Sequence, residues 1–177
     1  MRVIFLGTGT SHGVPAVGCT CAVCRSDDPR NHRSRPSALV AHGERSILID
    51  TAPELRLQAL RHHLRRVDAV LFTHAHADHV AGLDDLRSFN FLQGGRPIPC
   101  YGNAHAMADI ARRFHYALNV PPALAGSVPH ITCHVVDGAF DLFGLSIVPV
   151  PIYHGRLLVY GYRLGDFAYV TDCNAIP

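Results

Sequence analysis

Short apolar runs separated by glycine, proline and polar residues dominate the first 115 positions of the chain. Runs of this kind predict strands at residues 3–6, 37–41, 46–50, 67–72 and 97–101. The two runs at 37–41 and 46–50 flank His42-Gly43-Glu44-Arg45, which is typical of a hairpin turn. Helices are predicted over residues 53–63, 83–91 and 103–115, with Pro53 and Asn103 near two of their starts. The pattern therefore predicts a mixed α/β domain.

The last third of the chain predicts only strands and connecting loops. Residues 119–128 contain two prolines and a glycine, which favours an irregular loop that could form one wall of a pocket. Four apolar runs follow and predict the strands of a meander, at residues 131–136, 145–150, 159–164 and 167–171. Gly144 and Gly165 fall in the expected turns.

Length and composition indicate one folded domain over residues 1–177. The chain is 48% hydrophobic with a mean hydropathy of +0.12, which suits a packed core. It contains no apolar run of membrane-spanning length, and residues 1–7 enter a strand without a signal-peptide pattern, so we expect a cytoplasmic protein without membrane contact. The net charge of +2 argues against nucleic acid as a partner. All 16 basic residues are arginines, whose planar guanidinium groups suit phosphate.

The segment His74-Ala75-His76-Ala77-Asp78-His79 places four potential metal ligands between a buried strand and a helix. His74 and His76 are two residues apart, so in extended chain they project to the same side and can reach one ion. Asp78 and His79 lie past the bend and can face a second ion. Imidazole and carboxylate groups suit Zn, Mn or Fe. A metal centre explains this spacing better than a solvated loop that is rich in histidine.

A second candidate metal site is the cysteine-rich loop at about residues 18–25. Cys19, Cys21 and Cys24 are spaced so that three thiolates can converge on one tetrahedral Zn, whose fourth ligand is not identified. The alternative is three buried core cysteines. Cys100 and Cys133 lie in apolar strand contexts and are expected in the core.

The histidine-rich segment resembles the signature of the metallo-β-lactamase-fold hydrolases. That resemblance implies an αββα sandwich of two similar halves. It also implies a dinuclear centre in which a bridging hydroxide attacks the substrate, with Asp78, His79 and Asp172 as the catalytic set. The metal ligands implied by the resemblance are His74, His76 and His154 for the first ion, Asp78 and His79 for the second, and Asp172 as the bridge.

Two further motifs resemble the PhnP-type branch of cyclic-phosphate phosphodiesterases. These are Phe-Leu-Gly-Thr-Gly-x-Ser-x-Gly-x-Pro from residue 5 and Gly-x-Pro-x-x-Gly-Cys-x-Cys-x-x-Cys from residue 13. The resemblance implies a small or cyclic phosphodiester as substrate, two divalent ions (Zn or Mn) at the His/Asp site, and one structural Zn at the cysteines. A zinc-binding accessory protein like PqqB is an alternative. A thioester hydrolase or an RNA-processing hydrolase of the same fold is another.

Four residues outside the ligand set receive weaker roles. In the superfamily an Asp at the end of a strand hydrogen-bonds the metal-ligand loop, so Asp50 is expected to support the ligands without binding metal. His12, Arg87 and Asn90 are candidates for contact with the substrate.

The resemblance also predicts that part of the fold lies beyond residue 177. A last histidine ligand, the fourth ligand of the cysteine cluster and a general acid have no match in this sequence. We therefore expect a single domain that is incomplete at its C-terminus. If the chain does end at Pro177, a second copy could complete the open metal site, so a homodimer is the alternative.

Overall fold

The computed structural model describes residues 1–124 and 126–177, and it arranges their strands in two sheets. The first sheet has six strands in sequential order: β1 (Arg2–Gly7), β2 (Ser37–His42), β3 (Arg45–Ile49), β4 (Ala69–Leu71), β5 (Ile98–Gly102) and β6 (Ile131–Val135). The second sheet has four: β7 (Phe140–Leu142), β8 (Leu145–His154), β9 (Leu157–Leu164) and β10 (Phe167–Tyr169).

The described residues also contain four α-helices. They are α1 (Leu55–Arg61), α2 (Ala77–Val80), α3 (Leu86–Leu92) and α4 (Ala104–Arg113). Short 3₁₀ turns occur at Pro29–Asn31, Leu83–Asp85, His115–Ala117 and Pro122–Leu124. The expected cap of α4 is confirmed, because the Asn103 side chain accepts a hydrogen bond from Ala106 N at 2.8 Å. Within these residues, no helix has both the length and the apolar character needed to cross a membrane.

Successive side chains along the central strands alternate between the two faces of the first sheet, and both faces are buried. Leu39 and Leu48 point to one face, which packs against the helices. Val40, Ile47 and Ile49 point to the other face, which packs against the second sheet. The result is three layers in the order helix, six-stranded sheet, four-stranded sheet.

The directions of the strands place the C-terminal ends of several of them at one edge of the first sheet. Strands β1 and β2 and strands β2 and β3 pair antiparallel, whereas β3 to β6 are parallel to one another. Strands β1, β3, β4 and β5 therefore all finish at the same edge. The segments that follow β3 and β4 carry Asp50 and the three histidines that the first sheet contributes to the candidate site.

The predicted meander is wrong at its first strand. Residues 131–136 were expected to begin it, but β6 pairs parallel with β5 in the first sheet, with Ile131 opposite Ile98. Helix α4 and the loop after it form a crossover that returns the chain to that sheet. The short strand β7 supplies the fourth strand of the second sheet instead. The loop expected at 119–128 includes residue 125, which lies outside the described residues.

Candidate metal centre

Five predicted ligands converge where the two sheets meet. His74 and His76 lie in the loop after β4, His79 lies in α2, His154 ends β8, and Asp172 follows β10. Ligand atoms of His74, His76 and His154 all lie within 4.8 Å of one another, and so do those of His74, His79 and Asp172. His74 belongs to both groups, so the two groups adjoin. Asp78, the sixth predicted ligand, belongs to neither group, although its Oδ2 lies 3.3 Å from His79 Nε2. His74 was expected at the first ion only, so the two groups differ from the expected ligand sets.

Asp50 fixes the loop that follows β4 by hydrogen bonds. Its buried carboxylate accepts hydrogen bonds from Thr73 N at 2.8 Å, from Thr73 Oγ1 at 2.7 Å and from His79 Nδ1 at 2.7 Å. Asp50 adopts a φ of 59°, a strained conformation for a residue with a side chain, and the surrounding hydrogen bonds hold it there. The expectation that Asp50 hydrogen-bonds the loop is confirmed.

Thr73 sets which ring nitrogen of His74 is available. Because the Thr73 hydroxyl donates its proton to Asp50, its oxygen is left to accept from His74 Nδ1, at 3.0 Å. His79 Nδ1 donates to Asp50 in the same way. The hydrogen-bond network thus assigns the proton of the neutral His74 ring to Nδ1 and leaves its Nε2 lone pair facing the convergence point. His79 donates from Nδ1 to Asp50 and from Nε2 to Asp172, so a metal ion at its Nε2 would take the place of a proton.

The electrostatic environment differs between two histidines of the site. It favours a neutral ring at His74 and a positive charge at His79, which lies beside the carboxylates. Burial lowers the pKa of His74 to about 4, so this ring is neutral at pH 7. Burial also disfavours charge on His79, but Asp50, Asp172 and Asp78 outweigh it and raise the pKa of His79 to about 12. Its Nε2 lies 3.1 Å from Asp172 Oδ2 and 3.3 Å from Asp78 Oδ2. A divalent cation would benefit from the same carboxylates that favour a proton there.

Asp172 is ionised throughout the physiological range. The hydrogen bond with His79 is the main cause that lowers the pKa of this carboxyl to about 2. Asp172 Oδ2 also lies 3.5 Å from His74 Nε2 and 3.9 Å from His154 Nε2. The carboxylate therefore sits between the two ligand groups, in the place expected of a bridge.

Sequence reasoning missed the residues that attach the ligand loop to the rest of the fold. The Tyr162 hydroxyl donates to Phe72 O at 2.8 Å, which ties the second sheet to the end of β4. Arg113 on α4 donates from Nη1 to Ala75 O at 2.6 Å, between the first two histidines. Thr73 could have been found from its position directly before His74. The other two are remote in sequence and carry no local signal.

The cysteine-rich loop forms a second cluster of ligand type. The Sγ atoms of Cys19, Cys21 and Cys24 all lie within 4.8 Å of one another. The backbone N–H of Cys24, with help from the neighbouring thiols, lowers the pKa of Cys21 to about 7. Thiolate is the form that binds metal, so Cys21 is predisposed to do so. At Cys24 the hydrogen bond from Ala16 N is outweighed by the thiols of Cys19 and Cys21 and by burial, so the pKa of Cys24 is raised instead. Cys100 is buried as expected, whereas Cys133 is half-buried.

Two of the weaker candidates lie elsewhere. Asn90 is buried and bonds the backbone of Arg96 and His130, so it supports the loop before β5 and does not face the metal centre. His12 lines a cavity beside α1 that none of the predicted metal ligands lines. Arg87 lines a different open cavity, with Phe91 and Leu92.

The chain belongs to the β-lactamase superfamily, because the model of the β-lactamase superfamily domain matches residues 45–177. A crystal structure described as a new diphosphatase from the PhnP family is 42% identical, with a TM-score of 0.88 over 99% of this chain and 66% of that one. The metallo-β-lactamase fold and the likeness to the PhnP type, both expected from the motifs, are confirmed.

Two curated relatives extend the comparison. An octanoyltransferase of Porphyromonas gingivalis is 42% identical over 178 residues, which are 99% of this chain and 35% of that protein. Coenzyme PQQ synthesis protein B of Methylorubrum populi is 33% identical over 127 residues, which are 63% of this chain and 40% of that protein. The chain thus spans between about a third and two fifths of these curated relatives.

Proposed function

We propose that this chain carries the metal centre of a hydrolase that cleaves a small phosphodiester or diphosphate. The convergence of four histidines and Asp172 at one edge of the sandwich carries this proposal. The 42% identity to a protein described as a PhnP-family diphosphatase supports phosphate as the reacting group. The P. gingivalis name gives no support for acyl transfer, since the chain corresponds to 35% of that protein.

The donor atoms fit two divalent ions, Zn²⁺ or Mn²⁺. His74, His76 and His154 would hold one ion, Asp78 and His79 the other, and Asp172 would contact both. Such ions lower the pKa of bound water and neutralise phosphate oxygens. The fit rests on the observed network. Thr73 leaves Nε2 of His74 without a proton, and an ion at His79 would take the place of the proton that its Nε2 donates to Asp172.

The protein residues would supply orientation and charge balance. Asp50 holds the His79 ring at 2.7 Å, so that ring cannot turn its Nδ1 toward the substrate. Asp172 keeps its charge at any pH above about 3, because its pKa is lowered to about 2. His154 and His76 are more exposed than His74 and His79, so the substrate would enter from their side.

Hydrolysis of bis(p-nitrophenyl) phosphate and of inorganic pyrophosphate by Zn²⁺- or Mn²⁺-loaded protein tests the proposal. We expect His76→Ala and Asp172→Asn each to lower kcat/KM at least about 100-fold. His134→Ala is the matched control, since His134 is an exposed histidine on β6 that bonds only Thr132 among the described residues. Activity that survives both site substitutions, or no turnover of either substrate by doubly loaded protein, would contradict the proposal.

The alternative is a zinc-binding accessory role like that named for the PQQ synthesis relative. The clustered thiols of Cys19, Cys21 and Cys24 and the 33% identity to that protein favour it. Metal analysis separates the two functions. Loss of at least one ion from the His/Asp site in His76→Ala or Asp172→Asn, together with loss of one Zn in Cys21→Ser, favours the hydrolase. A single ion, bound at the cysteines, favours the accessory role. Thiolate sites need a reducing compartment, so a cytoplasmic location accompanies either proposal.

A further inference from the structure

A cavity of about 440 Å³ lies on the helical side of the first sheet, outside the candidate metal centre. Its walls are residues 12–15 of the loop after β1, residues 32–34 before β2, and the outward face of α1. We call it the α1 cavity. No predicted metal ligand lines it, so it is a separate site.

The α1 cavity has an excess of positive charge. Arg33 and Arg61 both line it, and within residues 1–124 and 126–177 neither lies within 4.0 Å of a carboxylate oxygen. The single lining carboxylate belongs to Glu54, and Arg35 engages it with Nε at 3.0 Å and Nη2 at 2.8 Å. Arg33 Nη1 donates to Thr8 Oγ1 at 3.0 Å, so the other N–H groups of Arg33 and the guanidinium group of Arg61 are available to an anion.

One buried side chain in the wall has an acceptor atom without a partner. Gln58 on α1 is 3% exposed, and its Nε2 donates to Ser34 Oγ and Arg35 O, each at 3.0 Å. Its Oε1 accepts no hydrogen bond from the described residues. Buried acceptors of this kind normally have a partner. That oxygen exposes less than 1 Å² of surface, so it lies enclosed within the wall and is not open to the cavity.

The size of the space exceeds what a single phosphate needs. A second cavity, of about 240 Å³, shares His32, Arg33, Ser34 and Arg61 with the first and continues toward residues 5–8. Leu57, which is 59% exposed, lies in the wall of the α1 cavity and offers apolar surface. These features suit a ligand that has an anionic end and a larger body.

We propose that the α1 cavity binds a small molecule with a phosphate group, of which a nucleoside monophosphate is the model. Arg33 and Arg61 would pair with the phosphate, for which planar guanidinium groups are well suited. The exposed side chain of Leu57 would pack against the body of the ligand. The site shares no residue with the metal centre, so it does not depend on the proposed hydrolysis.

Calorimetric titration of the metal-loaded protein with AMP and with inorganic phosphate tests this site. We expect Arg33→Gln and Arg61→Gln each to raise the Kd for AMP at least tenfold. Both side chains are exposed, so the variants should fold, which circular dichroism checks. Arg163→Gln, at an exposed arginine on β9, is the matched control and should leave the Kd unchanged. If AMP bound at the metal centre instead, neither cavity substitution would change its Kd, and the proposed site would be wrong.

Leu57→Ala separates a site for the whole ligand from a simple positive patch. It removes exposed apolar surface from the wall and leaves both arginines in place, so it should weaken AMP binding while leaving binding of inorganic phosphate nearly unchanged. An AMP affinity no better than that of inorganic phosphate would overturn the proposed contact with the ligand body. Absence of saturable AMP binding, or a change below twofold in Arg33→Gln and Arg61→Gln, would overturn the site itself.

Discussion

At the residue scale, the hydroxyl group of Thr73 determines which nitrogen of the His74 ring carries the proton. It links the His74 ring to the Asp50 carboxylate by hydrogen bonds of 3.0 Å and 2.7 Å. Thr73→Val keeps the shape but removes the relay, so His74 loses the acceptor that fixes its proton on Nδ1. We expect the affinity of the histidine site for Zn²⁺ to fall about 10–100-fold. Competition with a chromophoric chelator measures it.

The chain offers a matched control for this substitution. Thr132 Oγ1 contacts His134 Nε2 at 2.9 Å on the exposed end of β6, away from the centre. Thr132→Val removes the same kind of hydroxyl–imidazole contact and should leave the Zn²⁺ affinity unchanged. An affinity of Thr73→Val equal to that of the unaltered protein would show that His74 does not need this relay.

The local spacing of residues 74–79 predicted that the three histidines converge, because two-residue steps and a strand–helix junction fix their directions. It also included Asp78, which lies in neither ligand group. Spacing alone could not predict that Asp50, 24 positions before His74, forms the floor of the site. That contact depends on β3 and β4 being parallel neighbours, which brings their ends together. The role of Asp50 therefore followed from the family resemblance and not from its own sequence context.

At the element scale, helix α2 can dock only because the second residue after it is a glycine, Gly82. Gly82 is buried, its N–H donates to Thr51 O at 3.0 Å, and Thr51 N donates to His79 O at 2.8 Å. A Cβ atom on Gly82 would lie 2.0 Å from the backbone oxygen of Ala52. Close approach of backbone to backbone thus places His79 over Asp50.

We therefore expect Gly82→Ala to force the segment around residue 52 away from α2. The free energy of unfolding should fall by about 1–3 kcal/mol, as measured by urea denaturation. Gly138→Ala is the control, since its Cβ would meet nothing within 4 Å, and it should change stability by less than about 1 kcal/mol. If the two variants were equally stable, the backbone at residues 50–52 would move away from residue 82 without a loss of free energy of unfolding, which would contradict this prediction.

The pairing of the strands shows which strands the local sequence pattern could predict and which it could not. The hairpin of β2 and β3 was predicted correctly, because its turn chemistry is local and Gly43 supplies the positive φ of 54°. β6 was assigned to the wrong sheet, because its partner β5 lies about 30 residues earlier, across the crossover through α4. β7 was missed because three residues, Phe140–Leu142, give too short a run to distinguish from a loop.

At the scale of the whole molecule, the candidate centre joins the two sheets. His74, His76 and His79 come from loops of the first sheet, whereas His154 and Asp172 come from the second. Tyr160 N also donates to Thr73 O at 3.0 Å across the same junction. A metal ion bound to ligands of both sheets would therefore oppose their separation, and metal binding should be linked to global stability.

This linkage gives a final prediction. In a Cys19→Ser, Cys21→Ser, Cys24→Ser background, which removes the other cluster, Zn²⁺ at 100 times its Kd should stabilise the chain by about 2.7 kcal/mol. Thermal unfolding with Zn²⁺ and with EDTA measures the difference. His154→Ala, which removes the ligand at the end of β8, should abolish most of it, whereas His134→Ala should not. A gain that persists in His154→Ala would mean that the ion binds the first sheet alone and does not hold the sandwich together.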